Sequence, residues 1–473
     1  MTIQYAHYYA NGAFHKAEGA EAMPVVNPAT GDLFAVVQPC SPNDVEHAVR
    51  SARSGFDAWS TSSIEQRRTA LTRLSSALAA RSEEAALLLA NEMGCPVWLG
   101  KLMQLPMPLK GLEFTIAGLD QITWTEQVGN GLVERVPCGV VAAITPWNFP
   151  LHQIVAKVAP VIAAGCTVIL KPSEVAPGAA LLFMEAVHDA GLPPGVVNLV
   201  WGGPQVGEQL VSHPVVDRIS FTGSTQVGRA IMASAAQGLK PVTLELGGKS
   251  AAVLLDDADL DAAVPAVVRL SMANSGQACV SQSRLIAPKR LIPEILERTK
   301  SAMTQWPVGN PLDAATRLGP VATQGQFNRV RTMIERAVGD GASLIQGGLT
   351  RPEGPEQGFY VAPTLFSGVR PDMEIAQEEV FGPVLSVLAY EDESEAATLA
   401  NATRYGLSGA VWSGDRARAT GFARQMRTGQ VVINGAPQNL ATPFGGWGWS
   451  GFGRENGRFG IEDLLVYRSL HGA

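Results

Sequence analysis

Five short segments hold the side chains best suited to chemistry. The thiol of Cys279 stands in Asn274-Ser275-Gly276-Gln277-Ala278-Cys279-Val280. A cysteine acts as a nucleophile only as an exposed thiolate in a favourable local field, and one between Ala and Val is most often a buried small hydrophobe. The carboxylate of Glu245 precedes Leu246-Gly247-Gly248-Lys249, where paired glycines let a ligand come close. A salt-bridged or helix-capping Glu beside a hinge fits the same residues. In Thr145-Pro146-Trp147-Asn148-Phe149-Pro150, two prolines fix the backbone around one amide, with Asn148 as a helix cap the plainer reading. Lys171-Pro172-Ser173-Glu174 sets a cation and an acid three apart, an arrangement able to hold a nucleotide ribose or to form a solvated turn. In Phe221-Thr222-Gly223-Ser224-Thr225-Gln226-Val227-Gly228 a glycine turn opens a helix, and free N–H groups there suit a pyrophosphate. Its order, G-S-T-x-x-G, departs from the usual dinucleotide fingerprint.

Four of these segments fall at the ends of expected strands. Val140–Ile144, Thr167–Leu170, Val196–Val200, Arg218–Phe221 and Val242–Leu246 are short apolar runs separated by helical spacing, with Gly165 and Gly191 as stops. Right-handed crossovers turn such a string into a parallel sheet, whose ligands bind outside the carboxyl ends of the strands. Before it, residues 42–94 read as helices: Ser41-Pro42 is a start signal and Gly94 a stop. After a boundary near Gly247-Gly248, a second α/β run includes a helix from Leu260 and strands at Val384–Tyr390 and Val431–Ile433. Ile116–Arg135, strand-like, and Ile461–Ser469 find no place in either sheet.

Bulk composition narrows the class. The chain has 473 residues, 46% hydrophobic and 17% charged, enough for two or three domains with full cores. A net charge of −7 with no basic runs argues against nucleic acid. The five cysteines, Cys40, Cys95, Cys138, Cys166 and Cys279, are odd in number and scattered, so neither a disulfide framework nor a metal site is expected, and a reducing cytoplasm fits. No stretch reaches the roughly 20 apolar residues that span a bilayer, and no membrane partner is expected. Val155–Leu170, the nearest, is interrupted by Lys157, Pro160 and Gly165 and reads as a buried helix and strand.

Taken together and in this order, the five segments resemble the aldehyde dehydrogenase superfamily over essentially the whole chain. Glu378-Glu379-Val380-Phe381-Gly382-Pro383, Pro443-Phe444-Gly445-Gly446 and Ser450-Gly451-Phe452-Gly453-Arg454-Glu455 extend the likeness, and the interval from Glu245 to Cys279 is typical of the family. The resemblance implies a Rossmann-like cofactor domain (residues 1–115 and 139–247), an α/β catalytic domain (248–447) and a small β oligomerisation arm (116–138 and 448–473). It implies oxidation of an aldehyde to the acid with NAD, NADP being the alternative. Cys279 is then the nucleophile, passing through a thiohemiacetal and a thioester. The Asn148 amide and the Cys279 backbone N–H hold the oxyanion, and Glu245 activates the hydrolytic water. Lys157 and Glu455 either relay the proton or form a structural ion pair. For the cofactor, Lys171 and Glu174 lie at the adenosine ribose, Ser224 binds the pyrophosphate, and Val227 packs near the adenine with Gly203 and Gly207. Glu379 holds the nicotinamide ribose, Phe381 packs near the ring, Trp147 lines the cleft, and Ile144, Pro146, Ser173, Phe221, Thr222, Gly223 and Leu246 complete the cofactor site. The arm implies a homodimer or homotetramer.

Two departures from common family patterns are Leu151-His152-Gln153, expected along the substrate tunnel, and Trp447-Gly448-Trp449, where many relatives carry an aromatic followed by Lys. A CoA-acylating semialdehyde dehydrogenase is disfavoured because the base position keeps Glu245. A non-catalytic relative is disfavoured because thiol, amide and carboxylate all remain. The absence of an added Arg pair points away from dicarboxylic semialdehydes, towards neutral aliphatic or aromatic aldehydes. A carboxylate such as Glu174 accepts a hydrogen bond from a ribose 2′-hydroxyl and repels a 2′-phosphate. NAD is therefore expected to give the higher kcat/KM; a higher value with NADP would contradict this reading.

Overall fold

The computed structural model describes residues 2–473. The helical reading of residues 42–94 resolves into three helices, each ended by local chemistry. Ser41 and Asp44 form a reciprocal capping box at Pro42–Trp59, and Ser63 with Gln66 does the same for Ile64–Ala79. Ser82–Met93 stops at Gly94, whose φ of 75° is left-handed.

The cofactor-side sheet has eight strands rather than five. Its order is Gly451–Phe452, Val242–Glu245, Arg218–Thr222, Val140–Ile144, Thr167–Lys171, Val197–Leu199, His7–Ala10 and Ala13–Lys16. The five expected strands are its parallel centre. They are buried on both faces and so read as unbroken apolar runs. The additions lie at the two edges: a hairpin at one end and an antiparallel two-residue strand at the other. Both are too short to carry periodicity, and both cover edge hydrogen-bonding groups. From Val140–Ile144 the chain runs outward through Thr167–Lys171 to Val197–Leu199, then crosses to Arg218–Thr222 on the opposite side. That reversal opens a crevice at the carboxyl ends. Asn148, Ser173, Gly223 and Leu246 all follow strands that end there.

The second sheet has seven strands: Ser343–Gln346, Thr364–Ser367, Val384–Tyr390, Arg284–Pro288, Ala251–Leu254, Ser408–Trp412 and Gln430–Ile433. All neighbours are parallel except the first pair. Separate apolar clusters cover its two faces. Buried Arg284 braces it, donating to the carbonyls of Lys249, Leu399 and Ala400. The helix from Leu260 runs to Met272, and Cys279 lies between it and the Arg284–Pro288 strand.

A third, antiparallel sheet joins Thr125–Val128, Gly131–Pro137 and Leu465–His471. It is smaller than the segments 116–138 and 448–473. The strand reading fails for its first residues, because Pro106–Gly118 is an α-helix continued by a 3-10 turn over Leu119–Gln121. Leu119 and Ile122 are buried in the main core there, so tertiary packing overrides the strand-like pattern. Likewise Gly451–Phe452 joins the cofactor-side sheet, and Gly457–Glu462 is a helix packed on Pro106–Gly118 and Pro150–Ala164. Among the described residues no helix is long and apolar enough to cross a membrane.

Candidate active site

Between the two sheets lies a cavity of about 570 Å³. Asn148 and Cys279 both face it, with Pro146, Trp147, Leu246 and Gly247. Thr222, Gly223, Ser224, Glu379 and Phe381 also line it. Cys279 is half-buried, so it is not the sealed apolar side chain its neighbours Ala278 and Val280 suggest. Asn148 is buried and does not cap the following helix, whose N-cap is Phe149. Its Nδ2 instead donates to the Gln277 carbonyl at 3.0 Å.

The loop that leads into Cys279 is held by unusual backbone. Asn274, Ser275 and Gly276 have φ of 54°, 57° and 72°, a left-handed run that costs non-glycine residues energy. It persists because its surroundings fix it. Asn274 Nδ2 donates to the Asn148 carbonyl, Ser275 Oγ to the Gly319 carbonyl, and Gln277 Oε1 accepts from the Ala322 N–H. A Cβ on Gly276 would overlap the Gly382 carbonyl, so only glycine allows this contact.

Glu245 directly precedes the Leu246-Gly247 segment of the wall and does not itself line the cavity. It is buried and neither carboxylate oxygen has a hydrogen-bond partner, which excludes the capped or salt-bridged alternatives. Burial first, and then the charge of Glu455, raise its carboxyl well above the usual range. Burial, with the charges of Glu379 and Glu245, pushes the Cys279 thiol up to about 12. Lys157 and Glu455 form a buried pair at 2.6 Å, and Lys157 also reaches Ser220 Oγ at 3.2 Å. Both act on the charge of Glu245.

The C-terminal motifs buttress this corner. Ser450 Oγ donates to the Gly247 carbonyl at 2.6 Å, and its own carbonyl accepts from the Leu246 N–H. Phe444 and Glu455 pair through their backbones. Trp449 lines the cavity, with the Arg404 guanidinium 3.7 Å over its ring and Arg229 5.7 Å away. This is the local effect of the Trp447-Gly448-Trp449 departure: an aromatic wall between two cations.

Of the nucleotide-side residues, Ser224 caps Thr225–Gln237 by accepting from the Val227 N–H. Gly228 admits Leu246, which a Cβ there would meet at 2.6 Å. The Phe221 ring lies under Gly223. Ile144, Lys171 and Gly207 meet beside this cavity; a Cβ on Gly207 would lie 3.7 Å from Lys171 and 3.9 Å from Ile144. Lys171 Nζ stands 3.9 Å from Glu174, and Ser173 Oγ closes the turn by accepting from the Val175 N–H. Gly203 opens the helix that follows, and Val227 is exposed. None of Ile144, Lys171, Ser173, Glu174, Gly203, Gly207, Phe221 and Val227 lines this cavity. On the other side Glu379 accepts from the Gly248 N–H at 3.1 Å, and burial pushes its carboxyl up to about 7. Phe381, at φ 57°, meets Trp147 edge-on at 5.5 Å. The buried Thr222 hydroxyl on the cavity wall has no partner, an orphan that a polar ligand satisfies.

Sequence reasoning missed Gln326 and Arg329, which line the cavity and hold the Glu379–Phe381 backbone through its carbonyls. They stand on the helix Gln324–Gly339, outside any of the segments singled out in the sequence, so nothing local marked them. Of Leu151-His152-Gln153 only Gln153 lines the cavity. Leu151 packs into the core, and burial with the Lys157 charge pushes His152 down to about 4, leaving it neutral near pH 7.

A strand-end crevice with glycine turns, lined by a carboxylate and a half-buried cysteine, has the form of a nucleotide-binding α/β enzyme. The family model for the aldehyde dehydrogenase family matches residues 14–470. A 3-succinoylsemialdehyde-pyridine dehydrogenase of a Pseudomonas species is 44% identical over 99% of this chain and 98% of its own. Aldehyde dehydrogenase C of Pseudomonas syringae, crystallised with NAD+ and octanal, superposes with a TM-score of 0.97 at 43% identity, over 99% of this chain and 97% of that one. An aldehyde dehydrogenase of Mycobacterium tuberculosis complexed with NAD+ also gives 0.97, at 39% identity, over 100% of this chain and 99% of that one. The chain belongs to the aldehyde dehydrogenase family, and it is an oxidoreductase that converts aldehydes to acids.

Removing one member of a buried ion pair strands the other charge, at a cost of about 3–5 kcal/mol. Lys157→Met is therefore expected to lose that much in urea unfolding, and Lys157→Met/Glu455→Gln to regain most of it. Equal loss in both variants would contradict this.

Proposed function

We propose that the enzyme oxidises a neutral aliphatic or aromatic aldehyde with NAD, through Cys279, Asn148 and Glu245. The observation that carries the reading is that Asn148 and Cys279 face one cavity while the charge of Glu245, which does not itself line it, reaches the thiol. Cys279 Sγ attacks the carbonyl carbon, its proton leaving toward Glu245, and the oxyanion accepts from the Asn148 amide and the Cys279 N–H. Loss of one such donor costs about 100- to 1000-fold in rate. The chemistry supplied by NAD, when bound, is acceptance of a hydride, which leaves a thioester on Cys279. The thiol's proton first passes from Glu245 outward by way of Glu455 and Lys157. Glu245 then takes a proton from water, the water oxygen bonds to the acyl carbon, the C–S bond breaks, and Glu245 returns its proton to the sulfur, releasing acid and thiol.

Lys171, Ser173 and Glu174 bind toward the adenosine ribose, with Ile144, Gly203, Gly207 and Val227 beside the adenine. Pro146, Trp147, Phe221, Thr222, Gly223 and Ser224 form the pyrophosphate side, where the helix N-terminus favours an anion. Glu379 holds the second ribose, with Leu246 and Phe381 near the ring. The orphaned Thr222 hydroxyl and the glycine cradle at Gly247, where a Cβ would overlap Glu379, support the fit. The substrate class is supported by the octanal bound to the Pseudomonas syringae relative and by the name of the pyridine semialdehyde dehydrogenase. An intact Glu245 supports hydrolysis over transfer to CoA. Five free cysteines support a reducing, cytoplasmic setting.

We further infer that the arm pairs with another subunit in a homodimer or homotetramer. Its outer strands Thr125–Val128 and Leu465–His471 are exposed, and Val128, Val466, Tyr467 and Leu470 stand open to solvent. An apolar, unpaired edge invites a partner. Light scattering is expected to give two or four times the 49.9 kDa chain mass; the monomer mass would overturn this.

Because Glu245 and Cys279 are both raised, each is protonated in acid and gains competence as pH rises through its own value. The rate is expected to climb with pH. Glu245→Gln, which leaves the thiol without its base, is expected to slow the NADH burst and then to stall as thioester after about one NADH per site, and Cys279→Ala to give no burst while still binding NAD. Steady turnover by either variant would refute the assignment.

A further inference from the structure

We propose that Gln104 is a positioning residue for the Asn148 amide, clamping the Asn148 backbone so that its side chain meets the substrate oxygen at a fixed height. The proposal rests on the oxyanion role given to Asn148 above.

Gln104 is fully buried and closes a π-helical turn, Gly100–Gln104, between Pro96 and Pro106. Such widened turns recur at functional sites. Its Nε2 donates to the Asn148 carbonyl at 2.9 Å, and Asn274 Nδ2 donates to the same oxygen at 2.9 Å. A carbonyl has two lone pairs, so both are used. Asn274 also reaches the Gln277 carbonyl at 3.3 Å, the oxygen that accepts from Asn148 Nδ2. Gln277 Nε2 returns a bond to the Asn274 carbonyl at 3.0 Å. One closed network therefore spans Gln104, Asn148, Asn274 and Gln277, and Gln277 stands two residues before Cys279. The amide donor and the nucleophile loop are fixed to each other through it.

A purely structural filler would not be built this way. Gln104 Oε1 is buried with no partner, so the site tolerates an orphan acceptor in order to keep the donor. An apolar side chain of that size packs without the penalty. What it cannot do is hold the Asn148 peptide, and a displacement of about 1 Å at a reacting group costs about 100-fold.

The test uses the full enzyme and reads the NADH burst rate, KM for NAD, NAD affinity by fluorescence, and Tm. Gln104→Met is expected to slow the burst about 10- to 100-fold, leaving NAD affinity and KM within about twofold. Gln104→Glu supplies a second readout. Its protonated acid donates to the Asn148 carbonyl, whereas its carboxylate faces that oxygen and repels it. Its burst is expected to match the parent in acid and to fall as pH rises, against the upward trend of the parent. A Met variant within twofold of the parent burst rate overturns the clamp, and so does a Glu variant that follows the parent pH profile. Should the Met variant fail to fold, the Glu profile decides. Asn148→Ala separates the two readings. If it collapses the burst while Gln104→Met does not, only the clamp falls. If it leaves the burst intact, the oxyanion role falls and takes the clamp with it.

Discussion

Taking charge out of water without a paired counter-charge is costly, and the cleft is organised around that cost. Cys279, Glu245 and Glu379 share it, and burial raises the pKa of each by penalising its charged form. Each therefore rests neutral more readily than it would on the surface. A thiol held up to about 12 is protected from stray reaction. In the proposed mechanism it therefore depends on a neighbouring base for activation. Glu245 suits that role because nothing pins it: its oxygens lack partners, whereas Glu455 is tied to Lys157.

Rigidity around these loosely held acids comes from backbone chemistry. The left-handed Asn274–Gly276 run, the positive φ of Phe381 and the close approach of Gly276 to Gly382 bring two loops of the second sheet against the Asn148 loop of the first. Ser450, far along the chain, locks Leu246 and Gly247 from behind. Strained conformations of this kind persist only when several contacts over-determine them. Here the contacts come from segments about 100 to 200 residues apart in sequence.

The division of labour follows from the topology. The switch point of the first sheet provides the crevice, and its glycine turns let a nucleotide approach the backbone. The second sheet contributes the nucleophile loop, together with Gln326, Arg329 and the Glu379 wall. Neither sheet by itself lines the whole cavity, so the proposed site depends on how the two pack together.

Much of this was legible in the residues themselves. The five central strands, the capped helices and the Leu260 start are set by local pattern: apolar runs buried on both faces, Ser caps, and glycines that accept left-handed backbone. The identities of Asn148, Glu245 and Cys279 were visible through family motifs, though no spacing alone could choose between a helix cap and an oxyanion donor, or between a core thiol and a nucleophile. Tertiary structure decided that Asn148 is not the helix cap and that Cys279 lies half-buried on a cavity wall, because exposure and partners are properties of what folds against a residue. It also decided that Ile116–Gln121 is helical, that edge strands enlarge the first sheet, and that Gln104, Gln326 and Arg329 reach the site. These depend on contacts between distant segments, and a glutamine on a helix has the same local sequence signal whether it faces water or a catalytic amide.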